Sequence, residues 1–241
     1  NTLLVNATPE NQTVPLFEHL GKHHYPITTS VPAAQRYFDQ GLILAYGFNH
    51  YEAARSFRQA YRLDPKCALC FWGEALVLGP NINAPMDPAA VPIAYGAVQK
   101  SLELANSATE KEKALIQVLS SRYTKEAPED RSKLDEEYAK SMRKVAQLYP
   151  DDAVISSLFA ESLMDLHPWD FWTVEGKAKP WTPEIMSVLE RALEIDPNQP
   201  LANHLYIHTM EASPFAENAI PSAERLPSLV PGAGHLVHMP A

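Results

Sequence analysis

The feature that most constrains this chain is a spacing. Counted from Ala34 as position one, Tyr37 falls fourth, Gly41 eighth, Ala53 twentieth, Phe57 twenty-fourth, Ala60 twenty-seventh and Pro65 thirty-second. Small residues at the eighth, twentieth and twenty-seventh positions let two helices touch. Proline ends the second helix because it has no amide hydrogen to donate. Pro150, Pro197 and Pro231 close later second helices in the same way, and 34 residues separate Pro197 from Pro231. A chain with this period stacks short helical hairpins, each burying its apolar face against its neighbours.

The local signals agree with that reading. Ser30 can cap a helix and Pro32 suits its first turn. Tyr37, Phe38, Gly41, Leu42, Leu44 and Ala45 then recur at helical spacing. AYGFNH around Gly47 breaks the pattern, and a second helix, YEAARSFRQAYRL, runs to Asp64-Pro65. Five hairpins are predicted, over about 34–63, 68–105, 109–148, 152–195 and 199–230, with a sixth helix starting near Ala233. Insertions are expected near 79–88 (GPNINAPMDP) and 166–182 (HPWDFWTVEGKAKPW at its centre). Residues 1–30, with Pro9, Pro15, Gly21 and Pro26, read as an irregular N-terminal arm. A terminal repeat normally carries a polar cap, so the protein is expected to continue past residue 241.

Residues 34–65 resemble a tetratricopeptide repeat, with Gln40 in place of the usual leucine at position seven and Leu44 in place of the usual aromatic at eleven. The resemblance implies an all-α fold, a right-handed α-solenoid of about five and a half helix-turn-helix hairpins over 31–241. RYFDQGLILAYGFNHYEAARSF, CFWGEALVLGPNIN, NHLYIHTMEAS and GAGHLVHMPA further resemble a subset of exported bacterial tetratricopeptide proteins, which implies a periplasmic or extracellular location.

Composition removes several function classes. The chain has 241 residues, 46% of them hydrophobic, enough for a sizeable core. A formal net charge of −9, with no basic run, argues against nucleic acid as a partner. No stretch approaches the roughly 18 apolar residues of a membrane-spanning helix. The first residue is Asn1, consistent with a removed leader or a fragment, and Asn6 and Asn11 begin N-x-T sequons that matter only where glycosylation occurs.

No nucleophile elbow, phosphate loop, zincin or dinucleotide fingerprint occurs, so nothing points to a catalytic residue. Chemistry is therefore expected in the groove lined by the first helices. In these repeats, positions two, five, nine and twelve face that groove. The N-terminal groove would present Phe38, Leu42, Trp72 and Leu76, apolar anchors to be covered by a protein or peptide partner or by residues 1–30. The C-terminal groove would present His204 and His208, four residues apart, and His235 and His238, three apart. Both spacings put two imidazoles on one helical face, and imidazole suits Zn, Cu, Fe and Ni. The competing reading is half-buried, hydrogen-bonded histidines.

Cys67 and Cys70 form C-x-x-C without the histidine that haem attachment needs, and read as a local disulfide or two buried thiols. Asp165, His167, Trp169 and Asp170 in DLHPWDFW read as an inserted loop laid over the helices. The function expected is a protein- or peptide-binding scaffold, as part of a larger extracytoplasmic assembly. The alternatives are a metal- or cofactor-binding protein built on the groove histidines, and a self-assembling extracellular filament component.

Overall fold

Proline in its first turn starts α1 (Pro32–Tyr46), and the chain reverses across 47–49 into α2 (His50–Leu63), which stops before Pro65. The computed structural model describes residues 14–241; the two sequons and Pro9 lie outside them. The helices that follow are α3 (Ala68–Val77), α4 (Val91–Leu104), α5 (Glu110–Ser120), α6 (Ser132–Leu148), α7 (Ala153–Met164), α8 (Thr182–Ile195), α9 (Pro200–Met210), α10 (Ile220–Leu229) and α11 (Gly234–His238). Among the described residues extended pairing is limited to isolated bridges, such as that between Trp172 and Ala178. The fold of the described residues is all-α, a succession of helical hairpins.

Side chains supply the starts the sequence suggested. Thr109 and Glu112 form a reciprocal capping box at α5. Asp152 accepts from the Ile155 amide at α7, and Gln199 from the Ala202 amide at α9. Each satisfies a backbone N–H that a helix start otherwise leaves open.

The described residues divide into two units: 14–18, 24–80 and 84–138 in the first, and 19–23, 81–83 and 139–241 in the second. In the first unit, α1 packs on α2, α2 on α3, and the first helices α1, α3 and α5 are successive neighbours. Phe57 of α2 is the wedge. It is fully buried, and Phe38 stands edge-on to it with ring centroids 5.5 Å apart. A Cβ on Gly41 would lie 2.6 Å from the Phe57 ring and one on Gly73 would lie 2.4 Å from it, so the ring is held between two backbones that only glycine allows this close. Beside it, Arg58 of α2 donates to Glu74 of α3 at 2.6 Å, with both side chains nearly inaccessible. Burial, then the Glu74 carboxylate, push the Tyr61 hydroxyl well above its ordinary pKa. Such a pair is required once buried, because removing one partner strands a charge out of water.

In the second unit, α7 packs on α8, α8 on α9, and α9 on α7 and α10. All eleven residues of α9 are buried, including Asn203, His204, His208 and Thr209. A helix enclosed on every side must find partners for its polar groups inside the protein. The inserted segment after α7 lies against it, since Trp172 Nε1 donates to the Thr209 carbonyl at 2.6 Å. Trp181 Nε1 donates to the Asp170 carbonyl, and His167 stacks on the Trp181 ring with centroids 3.6 Å apart.

Candidate functional site

Of the four residues expected to anchor a partner in the N-terminal groove, Phe38, Leu42 and Trp72 are each no more than 2% exposed, and Leu76 is half-buried. They belong to the core of the first unit. Neighbouring helices close over them: Phe38 meets Phe57, and Trp72 Nε1 donates to the Leu115 carbonyl of α5.

What contacts the N-terminal arm is polar. Gln40 Oε1 accepts from the Phe17 amide at 2.7 Å while its Nε2 donates to the Pro15 carbonyl. Asp39 accepts from the Tyr25 amide and sits 2.8 Å from His24 Nδ1. Gln35 accepts from the Ile27 amide and donates to the Tyr25 carbonyl. Glu112 of α5 accepts from both the amide and the hydroxyl of Thr28 at 2.6 Å. Val14 is the apolar end of the same segment. It is buried against Tyr37, Ala60, Cys67 and Cys70, and its carbonyl accepts from the Tyr37 hydroxyl. Four side chains on α1 and α5 thus read the backbone of a non-helical segment that bends at 18–20 and 22, mostly through groups that every residue has. Gln35 is position two of the repeat counted from Ala34, a groove position, but the sequence does not single out Asp39, Gln40 and Glu112, because nothing local marks a glutamine or an acid as a backbone clamp.

The two cysteines are joined by a disulfide, and both are fully buried. Cys67 also caps α3, its sulfur accepting from the Cys70 amide at 3.2 Å. Their place in the core with Val14 and Tyr37 is structural.

The second unit brings three of the four expected histidines together. His204 and His208 of α9 and His235 of α11 each offer a ring nitrogen, and these three atoms lie within 4.8 Å of one another. His204 Nε2 and His235 Nε2 are 3.0 Å apart. The His204 ring centroid is 4.7 Å from that of His208 and 4.9 Å from that of His235. Glu211, one turn on from His208, meets His208 Nδ1 at 3.0 Å. Trp169 of the insertion, held at a left-handed φ of 62°, sets its ring edge-on to His208 with centroids 5.0 Å apart. Burial, then the charges of His208 and His238, hold the His235 imidazole below its ordinary pKa. His238 is exposed and outside the cluster. The three-residue spacing puts both imidazoles on one side of α11, but that helix is only five residues long and only His235, at its start, comes within reach of α9.

No family model and no curated protein sequence matches the chain. Among solved structures it is similar to MamA AMB-1, at 16% identity over 84% of this chain and 98% of that chain, with a TM-score of 0.36. It is also similar to YrrB, described as a TPR protein with an unusual peptide-binding site, at 15% identity over 85% of this chain and 90% of that chain, again with a TM-score of 0.36. The resemblance of the hairpins to tetratricopeptide repeats rests on the spacing from Ala34 to Pro65 and on the packing of Phe57 between Gly41 and Gly73.

Proposed function

We propose that this chain is a protein- or peptide-binding scaffold whose N-terminal unit holds a non-helical segment by its backbone. The carrying observation is the way residues 14–28 are held: Gln35, Asp39, Gln40 and Glu112 pair with backbone amides and carbonyls, and two side chains of the segment, Val14 and Tyr25, are buried. Backbone pairing supplies affinity without demanding a sequence, and the buried anchors set the register. The arm occupies the clamp in the chain as it stands, and a partner's segment of the same form would replace it.

Calorimetry tests this directly. A chain lacking residues 1–28 should bind a synthetic peptide of residues 14–28 with a dissociation constant of roughly micromolar order, and the intact chain should not. Gln35→Ala with Gln40→Ala should weaken that binding. A trimmed chain of undiminished helicity that ignores the peptide would sink the reading.

We further propose an oxidising, extracytoplasmic location. The disulfide between Cys67 and Cys70 supports it, since such bonds persist outside the reducing cytosol. No described helix is long and apolar enough to cross a membrane.

A further inference from the structure

We propose that His204, His208 and His235 form a binding site for a divalent transition-metal ion of the zinc and copper class. The inference is independent of the four clamp side chains, Gln35, Asp39, Gln40 and Glu112, which lie in the other unit.

The ligand set comes first. Three imidazole nitrogens from two helices converge to within 4.8 Å. Nitrogens held about 2.0–2.1 Å from a tetrahedral zinc stand about 3.3 Å apart, so only small side-chain shifts separate the observed spacing from a coordinating one. Imidazole is a borderline donor that favours zinc, copper and nickel over magnesium and calcium, which demand oxygen.

The surroundings come second. Glu211 lies at His208 Nδ1, the place where a carboxylate orients a ligating histidine and leaves the opposite nitrogen for the metal. That opposite atom, His208 Nε2, is buried. His204 is fully buried on α9 and His235 is the least buried of the three, so solvent reaches the group from the α11 side. A fourth ligand, water or a donor atom from a partner, would enter there.

The third point is proton balance. The 3.0 Å contact between His204 Nε2 and His235 Nε2 is a hydrogen bond in which one nitrogen carries the proton. Both nitrogens must be bare to ligate, so metal entry moves that proton to the other ring nitrogen or to solvent. The metal takes the place of the shared proton and holds α11 against α9.

The test is a zinc titration of the whole, untagged chain against a chromophoric chelator at neutral pH. One equivalent of Zn²⁺ should bind. His235→Ala should weaken it by at least about a hundredfold, beyond the effect typical of an outer partner, and Glu211→Gln by about tenfold. His238→Ala should leave it unchanged. His235 is chosen because its partial exposure makes misfolding the lesser risk, and far-ultraviolet circular dichroism checks that. His235→Cys should restore one equivalent and, with Co²⁺ in place of Zn²⁺, show thiolate-to-metal charge transfer, which a merely structural histidine would not produce. Binding well below one equivalent, binding indifferent to His235→Ala, or equal losses in His235→Ala and His238→Ala would each overturn the proposal.

Discussion

Phe57 shows how much one side chain can require of its neighbours. Its ring lies between Gly41 on α1 and Gly73 on α3, and a methyl group at either glycine would enter it. Alanine is normally the better helix residue, by about 1 kcal/mol over glycine. Here the overlap should outweigh that gain. Gly41→Ala is expected to lower stability by a net 1–2 kcal/mol or so, read as a shift of the urea midpoint at unchanged slope. Phe57→Ala should cost roughly 3–5 kcal/mol, and Gly41→Ala should be much less harmful in a Phe57→Leu background, because the two residues share one space. A stabilising Gly41→Ala would show that the close approach is not what the glycine provides. The nearby Arg58–Glu74 pair, buried between α2 and α3, ties the same two hairpins by charge rather than by shape.

At the scale of an element, α2 carries a pH-sensitive residue in its first turn. Burial lowers the His50 pKa to about 4, from an ordinary value of 6.5. In the folded protein the imidazole therefore stays neutral down to about pH 4, while the unfolded chain takes up its proton below about 6.5. The unfolded state binds more protons in that window, so stability rises with pH across it. The contribution is complete above 6.5 and lost as the pH falls through 4, for a total of roughly 3 kcal/mol. Denaturant midpoints at pH 7 and pH 5 should differ by less in His50→Gln than in the parent chain. An unaltered difference would place the pH sensitivity elsewhere. The N-terminal arm is the other element with a job of its own: residues 14–28 have no helical period, and their conformation comes from Gln35, Asp39, Gln40 and Glu112.

At the scale of the whole molecule, the chain is acidic, with a net charge of −9, and the helices among the described residues are short, the longest of them having 17 residues. Neither property says where the protein works, but the cysteines bear on it. Protein isolated from its source without reductant should resist thiol alkylation even when denatured, and take up two labels only after reduction. Free thiols at both Cys67 and Cys70 in such material would remove the support for an oxidising compartment.

The sequence by itself determined the hairpins. Proline after a second helix, as at Pro65, Pro150, Pro197 and Pro231, and small residues at the contacts are local signals, and they act within one turn or one hairpin. They were legible at Pro32, Gly41 and Pro65 because the backbone responds to them wherever the rest of the chain lies, whereas Ser30 makes no cap, Val31 taking that position. The tertiary structure decided which side chains are open and which converge. Phe38, Leu42 and Trp72 occupy the spacing of groove residues yet lie in the core, because burial depends on which neighbouring helices close over them. His204, His208 and His235 meet while His238 does not, because α11 is one short turn and its rotation against α9 selects a single histidine. Helical periodicity puts a residue on a face. What that face meets is settled by packing between segments far apart in sequence, and no single segment encodes it.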